Sequence, residues 1–146
     1  MKLSIPRWDV FLLFGPMDVL VQFGGLQNLD EFVEKWFNPV RMIGGQERLI
    51  TKTMTFVVAR EGPSYSEEPY AFMFLNVQPR SLETAQQALL KVPEVISADV
   101  VFGPYDLISP VRAKDQADLE RVISCIQGNC PGIEGTATTI VSRIRV

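Results

Sequence analysis

The chain has 146 residues, 47% of them hydrophobic and 21% charged, a composition typical of one globular domain or two very small ones and not of a disordered chain. Its net charge is −3 and neither half is strongly basic, which argues against direct binding to DNA or RNA. No apolar run approaches the roughly 20 residues that a membrane span needs, and no secretory signal is visible, so we expect a cytoplasmic protein without membrane contact.

The chain contains no histidine, which removes the most common general base and the most common ligand of transition metals. Its two cysteines, Cys125 and Cys130, lack the further ligands of a zinc site. Free thiols are the simpler interpretation of this pair, and a disulfide closing a short loop is the alternative. We therefore predict no metal site, no cofactor and no catalytic residue.

Residues 1–60 predict two strands, a helix and a third strand. The predicted strands cover residues 9–14, 18–23 and 47–58. The first two flank a Gly-Pro-Met-Asp turn. The helix is predicted over residues 28–38, with capping-box spacing at its start and an end before Pro39. The segment that follows, at residues 61–70, is polar and rich in turn-forming residues, and we interpret it as a linker.

Residues 71–146 predict six elements in the order βαββαβ. Strands are predicted at residues 71–79, 95–102, 106–113 and 135–146, and helices at residues 81–92 and 115–129, the second capped by Asp115. This order is the ferredoxin-like arrangement, an antiparallel sheet with both helices on one face. Pro110 lies in the third strand and cannot donate a ladder hydrogen bond, so that segment should be an edge, a bulge or locally broken.

The stretch FGPMDVLV at residues 14–21 recurs as FGPYDLIS at residues 102–109. A displacement of 88 residues carries Phe14 onto Phe102 and Asp18 onto Asp106, and the same order of elements follows. We therefore predict an α+β fold in which a partial ββαβ repeat at residues 1–60 precedes a complete unit at residues 71–146. The incomplete copy is expected to pack against the complete one and to mimic a dimer within one chain.

Residues 71–142 resemble the effector-binding domain of the leucine-responsive and asparagine-type (Lrp/AsnC) regulators, also called the RAM domain. The resemblance lies in V-P-E-V at 92–95, G-P-Y-D-L at 103–107, V-R-A-K-D at 111–115 and P-G-I with T-x-T from 131 to 138. It implies a dimeric α/β-barrel type of assembly, larger oligomers, and amino acids bound at interfaces. Full regulators carry a helix-turn-helix before this domain, whereas residues 1–60 are rich in predicted strands, so we expect no direct operator binding.

The Gly-Pro-Tyr-Asp turn and the Thr-rich last strand are the candidate ligand site. Gly103 leaves the backbone open, and Asp106 can accept hydrogen bonds from nearby N–H groups. One interpretation is a rigid turn that fixes the hairpin register. The other is a pocket for the charged groups of an amino acid, with Tyr105 against its side chain. The resemblance places this turn and the last strand near the effector. The predicted ligand-binding residues are Gly103, Tyr105, Asp106, Thr136 and Thr138.

The leading functional hypothesis is a non-enzymatic sensor that binds an amino-acid-like effector and acts through the interfaces of a homo-oligomer, at least a dimer. One alternative is a structural or adaptor protein that forms hetero-oligomers with full-length regulators. The other is a small enzyme on the dimeric α/β-barrel fold, against which the missing histidine argues.

Overall fold

The computed structural model describes residues 10–15, 17–24, 28–46 and 52–142, without the side chains of residues 43–46. The strands are β1 (Val10–Phe14), β2 (Val19–Val21), β3 (Val57–Arg60), β4 (Ala71–Val77), β5 (Asp99–Phe102), β6 (Leu107–Val111) and β7 (Ile133–Val141). The α-helices are α1 (Leu29–Phe32), α2 (Asn38–Gln46), α3 (Leu82–Leu90) and α4 (Gln116–Asn129). All seven strands form one antiparallel sheet in the order β2-β1-β7-β4-β6-β5-β3.

The four central strands, β7-β4-β6-β5, confirm the predicted ferredoxin-like unit. Helix α3 connects β4 to β5, and α4 connects β6 to β7, so the chain order is βαββαβ. The longest ladder joins β4 to β7 and runs from Ala71 opposite Ile140 to Val77 opposite Ile133. Asp115 caps α4 as predicted, because its side chain accepts a hydrogen bond of 2.8 Å from the backbone N–H of Asp118.

One face of the sheet packs against α3 and α4. Side chains alternate between the two faces of a strand, so every second residue of β4 points to these helices. Their shared core contains Ala71, Met73, Leu75 and Val77 from β4, Ala85 and Leu89 from α3, and Leu119, Val122 and Ile126 from α4. Burial of each large aliphatic side chain contributes roughly 1.5–3 kcal/mol relative to exposure, which makes this the main stabilising layer of the unit.

The other face of the sheet carries a second, largely aromatic cluster. Phe72 and Phe74 of β4 are fully buried there (0% exposed). The cluster also contains Phe11, Leu13, Val101, Ile108 and Val141, with Met17, Leu20, Phe56, Tyr105 and Ala137 packed around them. Five of these side chains come from residues before the predicted linker. The N-terminal part of the chain therefore covers the sheet face that lies opposite α3 and α4.

The N-terminal strands extend the central unit at both of its edges. Strand β1 pairs with β7, where Leu13 lies opposite Val141, and β3 pairs with β5, where Val57 lies opposite Phe102. The predicted strand over residues 47–58 is wrong in extent, because residues 52–56 are not in a strand and β3 ends at Arg60. Residues 47–51, Pro16 and the end of the last predicted strand, residues 143–146, lie outside the described residues.

The prediction that the N-terminal helix ends before Pro39 is wrong. A π-helical turn, Val33–Phe37, joins α1 directly to α2, and Pro39 is the second residue of α2. The N–H of Asn38 donates to the carbonyl of Val33, five residues back, which marks the wider turn. Pro39 therefore lies inside a continuous helical segment, and the wider turn directly before it accommodates the missing backbone donor of proline. The predicted cap is confirmed, since the N–H of Glu31 donates to Oδ1 of Asn28 at 2.8 Å.

Pro110 lies in β6, which is a central strand and not an edge. It stands opposite Phe72 in an uninterrupted ladder with β4. Its carbonyl accepts from the N–H of Ile96 at 2.9 Å, so its nitrogen faces the β5 side. On that side the ladder with β5 ends at Ile108, and only the isolated pair Val95–Val111 follows. The predicted local break is therefore present, but only on the side where proline cannot donate.

Candidate functional site

Asp106 connects the turn between β5 and β6 to the end of β4 by hydrogen bonds. Its backbone N–H donates to the carbonyl of Leu75 and its carbonyl accepts from the N–H of Val101, both at 2.9 Å. Its carboxylate oxygen Oδ2 accepts from the backbone N–H of Val77, also at 2.9 Å. A charged acceptor on a backbone N–H makes a stronger bond than a neutral one. The predicted architectural role of this aspartate is therefore present in the geometry.

Gly103 is needed here for close approach and not for an unusual backbone angle. The glycines with positive φ in the described residues are Gly15 and Gly132. A Cβ atom on Gly103 would lie 2.5 Å from Cδ1 and 2.9 Å from Cε1 of Phe56, distances that real Cβ atoms do not show. The ring of Phe56 thus occupies the space that a side chain at this position would need.

Tyr105 belongs to a group of three rings beside this turn. Its ring centroid lies 5.6 Å from that of Phe74 and 6.4 Å from that of Phe56, and the Phe56 and Phe74 centroids are 5.9 Å apart. The half-buried Tyr105 and Phe56 pack over the fully buried Phe74. Tilted rings at these distances attract each other in addition to burying area. The turn therefore presents an aromatic surface on the face opposite α3 and α4.

Thr136 and Thr138 lie on the other face of the sheet. They stand opposite Leu75 and Met73 in the β4–β7 ladder, and directly opposite residues share a face. Thr136 Oγ1 accepts a hydrogen bond of 3.2 Å from Nε2 of Gln127 on α4. The structure thus brings Gly103, Tyr105 and Asp106 together but separates the two threonines from Tyr105. The ligand-binding role of these five residues stays a prediction.

The two copies of the Gly-Pro-x-Asp hairpin have the same hydrogen-bond geometry. The N–H of Leu13 donates to the carbonyl of Asp18 at 2.8 Å, and 88 residues later the N–H of Val101 donates to that of Asp106 at 2.9 Å. The register agrees as well, since Phe11 opposite Leu20 corresponds to Asp99 opposite Ile108, and Leu12 opposite Val19 to Val100 opposite Leu107. Met17 and Tyr105, the variable residues of the two turns, pack against the same cluster. The sequence repeat and the strand pairing therefore both relate the β1–β2 hairpin to the β5–β6 hairpin by a displacement of 88 residues.

A concave region lies at the end of β4 that is opposite to the turn between β5 and β6. It has a volume of about 570 Å³ and is lined by Glu67, Glu68, Pro69, Tyr70, Arg112, Ala113 and Val141. Arg112 pairs with Glu67, its Nε lying 2.8 Å from Oε2, and its Nη1 donates to the carbonyl of Pro93 at 2.7 Å. The hydrogen bond from Arg112 lowers the pKa of Glu67, and the same bond raises the pKa of Arg112. This ion pair holds the segment before β4 against the end of β6.

The described residues contain no group of three or more acidic, cysteine or histidine side chains placed to hold a metal ion. Cys125 and Cys130 are both free thiols, and burial raises the pKa of the Cys130 thiol. Of the helices that the structure describes, none combines the length and apolar character needed to cross a membrane.

The sequence does not predict several of the residues that shape this site. Phe56 and Gln127 carry no motif, and their contacts with the turn and with Thr136 depend on how distant segments pair. The backbone N–H of Val77, which Asp106 holds, has no sequence signal because every non-proline residue has one. Of the two partners in this hydrogen bond, the sequence indicates only the aspartate, which stands at a turn position that favours it.

Comparison with curated proteins finds relatives that are named as transcriptional regulators. The curated relatives include the HTH-type transcriptional regulator FL11 of Pyrococcus horikoshii, 30% identical over 96 residues that make up 66% of this chain and 62% of the relative. FL11 of Pyrococcus furiosus is 28% identical over 99 residues, 68% of this chain and 64% of the relative. The chain thus spans less than two thirds of the length of these regulators.

Two of the solved structures that resemble this chain each cover about half of it. TTHA0845 from Thermus thermophilus is 28% identical, with a TM-score of 0.47 over 52% of this chain and 94% of that chain. The hypothetical protein PHS023 from Pyrococcus horikoshii is 31% identical, with a TM-score of 0.46 over 51% and 89% of the two chains. A family model described as the Lrp/AsnC ligand binding domain matches residues 70–146, just over half of the chain. The match coincides with the βαββαβ unit and confirms the resemblance, and the chain belongs to the Lrp/AsnC ligand-binding domain family.

Proposed function

We propose that this chain is a non-enzymatic regulatory module that binds a small, amino-acid-like effector in the cytoplasm and acts through contacts between chains, not by binding DNA itself. The observation that carries this proposal is the match of residues 70–146 to a ligand-binding domain of transcription regulators. The curated relatives are named as HTH-type transcriptional regulators, which favours regulation over catalysis. The net charge of −3 and the absence of a basic half support the lack of direct DNA contact.

The proposed effector site is the end of the sheet where Asp106 meets β4. Asp106 bonds to Leu75 and Val77, and Thr136 stands opposite Leu75. The turn and Thr136 therefore lie near the same end of β4 on opposite faces of the sheet, and we propose that the ligand lies across that end and contacts both. There the Asp106 carboxylate suits an ammonium group, the threonine hydroxyls suit a carboxylate, and Tyr105 offers a ring surface for the side chain.

An effector shifts an assembly only if it binds one state better than another. We propose that the states differ in how copies of this chain associate, at least as dimers, because membership of this ligand-binding family implies oligomers. Thermal unfolding in the presence of each of the twenty amino acids at millimolar concentration tests the proposal. At a hundredfold excess over Kd, a ligand stabilises by about 2.7 kcal/mol, a readily measured rise in Tm.

A pair of matched variants assigns the site. Tyr105→Met makes the second turn like the first, and we expect it to reduce the ligand-induced rise in Tm. Met17→Leu, at the corresponding position of the first turn, should leave that rise unchanged. If no amino acid stabilises the wild-type protein, effector binding of this class is wrong.

A second candidate function is an adaptor that forms hetero-oligomers with full-length regulators. The observation in its favour is that relatives matched over 62% and 64% of their length are longer regulators of the same family. Co-purification of a full-length relative, unaffected by any amino acid, would support the adaptor over the sensor.

A further inference from the structure

The two outermost strands of the sheet correspond to two strands that are neighbours of β4 in the complete unit. The displacement of 88 residues carries β1 onto β5 and β2 onto β6. The last strand of each copy is β3 in the first and β7 in the second, by order along the chain. In the complete unit, β4 lies between β6 and β7. The corresponding position in the first copy is between β2 and β3, which are the two ends of the seven-stranded sheet.

The pairing between the two copies is reciprocal. Strand β1 of the first copy pairs with β7 of the second, and β5 of the second copy pairs with β3 of the first. Each hairpin therefore uses its first strand to bind the last strand of the other copy. This reciprocity supports the assignment of β3 as the counterpart of β7. One further strand, added to the seven, would complete the first copy's sheet and link the two ends.

Side chains next to the two ends meet each other. Gln22, directly after β2, donates a hydrogen bond of 3.2 Å from Nε2 to the hydroxyl of Tyr65, which follows β3. Leu20 of β2 and Phe56, directly before β3, both pack against the aromatic cluster. The sheet thus curls around that cluster, and its two ends face a common region.

Both ends present apolar strand surface. Val57 and Val58 of β3 are 44% and 47% exposed, and Val19 of β2 is 49% exposed. The charge on β3 is Arg60, at its end, and it lies 3.4 Å from Glu83. Among the described residues, β2 pairs only with β1 and β3 pairs only with β5. An apolar edge strand with free backbone groups on one side is a template for another strand.

We propose that the position between β2 and β3 binds an extended apolar strand of a different protein, which runs antiparallel to both. The chemistry of this partner follows from β4, the occupant of the same position in the complete unit. Its sequence, AFMFLNV, is apolar on both faces and buried along its length except at the half-buried Asn76. The partner strand would bury one set of side chains on the aromatic cluster, and its backbone would pair with both edges. This inference does not depend on effector binding.

A peptide with the sequence of residues 70–78, YAFMFLNVQ, extended by three lysines and labelled with fluorescein, tests the proposal. We expect saturable binding to the full chain by fluorescence anisotropy. Amide hydrogens of β2 and β3 should exchange more slowly when the peptide is bound. The same peptide with proline in place of its methionine loses a backbone donor in the middle of the strand and should bind at least tenfold more weakly.

Variants of the chain provide matched controls. Val58→Lys places a charge at the proposed contact and should weaken binding at least tenfold, whereas Thr55→Lys, at an exposed residue just outside β3, should not. If Val58→Lys does not fold, Val19→Lys on β2 tests the same contact. Equal binding of both peptides, no binding, or slow exchange of β2 and β3 before peptide is added would each overturn the proposal. Self-association of the chain through these edges would also overturn it, because a second copy would then be the partner.

Discussion

The ring of Phe56 fills the space beside Gly103, where a Cβ atom would lie 2.5 Å from Cδ1 of that ring. Gly103→Ala must therefore displace Phe56 from its contacts with Phe74 and Tyr105. We expect a loss of about 1–3 kcal/mol in the free energy of unfolding, the usual cost of overpacking. Urea denaturation measures it, and the loss of the nuclear Overhauser contact between Phe56 and Tyr105 identifies its cause.

Gly128→Ala is the control for this substitution. Gly128 lies in α4, and no atom beyond its chain neighbours and the adjacent backbone of its own helix stands within 4 Å of a Cβ built there. Alanine should stabilise the helix by up to about 1 kcal/mol, since glycine is a poor helix former. If both alanine variants change the stability in the same direction, the close approach of Phe56 does not explain the glycine at position 103.

Asp106→Ala should leave the backbone N–H of Val77 without its acceptor and lower the free energy of unfolding by about 1–3 kcal/mol. Asp106→Asn keeps an oxygen acceptor and should lose less. Hydrogen exchange at the Val77 amide, combined with urea denaturation, separates the two variants. Equal destabilisation by both would mean that the charge, and not the hydrogen bond, stabilises the turn.

Asp99 should make the protein less stable as the pH rises through the acidic range. Burial raises the pKa of Asp99 above its usual value, although its carboxylate accepts a hydrogen bond of 2.7 Å from the N–H of Gly62. Between the ordinary pKa of the unfolded chain and the raised pKa of the folded one, the folded state binds more protons. Its stability therefore falls as the pH rises through this window.

Asp99→Asn removes this titration and retains an oxygen for the N–H of Gly62. As the pH rises through this window, the free energy of unfolding of the variant should increase relative to that of the wild type. At neutral pH the variant should be at least as stable as the wild type. Urea denaturation at a series of pH values measures the difference. A difference that does not change with pH would contradict the raised pKa.

Cys125 should react with a thiol reagent well before Cys130. Cys130 is 6% exposed and burial raises its pKa, so little thiolate is present at neutral pH, whereas Cys125 is partly exposed. The release of thionitrobenzoate should show one fast and one slow phase. Cys125→Ser should remove the fast phase and Cys130→Ser the slow one, and the reverse assignment would contradict the buried position of Cys130.

The order of elements was predictable where local signals agreed. A run of apolar residues marked β4, and Asp115 marked the start of α4, so the ferredoxin-like unit followed from the sequence. The 88-residue repeat predicts a partial duplication, and the two hairpins of that repeat have the same register. These features depend on neighbours in sequence or on a copied pattern, and both are visible without coordinates.

The features that the sequence does not predict depend on contacts between segments that are distant along the chain. Pro39 was expected to end a helix, but a π-helical turn before it accommodates the missing donor. Thr136 and Tyr105 lie on opposite faces of the sheet, because the register of β7 against β4 puts Thr136 on the helix-covered face. A shift of one residue in a strand exchanges its two faces, and the sequence of β7, with threonines at alternate and adjacent positions, does not specify which face is buried.

The pairing of β1 with β7 has a consequence for the synthesis of the protein. Leu13 of β1 lies opposite Val141 of β7, so β1 can pair with β7 only after β7 has left the ribosome. Until then Phe11 and Leu13 remain without part of their final packing, and the nascent chain exposes an apolar hairpin. Contacts between such distant residues form late, because closing the intervening chain costs entropy before the contact repays it. The protein should therefore acquire its full cooperativity only after β7 has emerged from the ribosome.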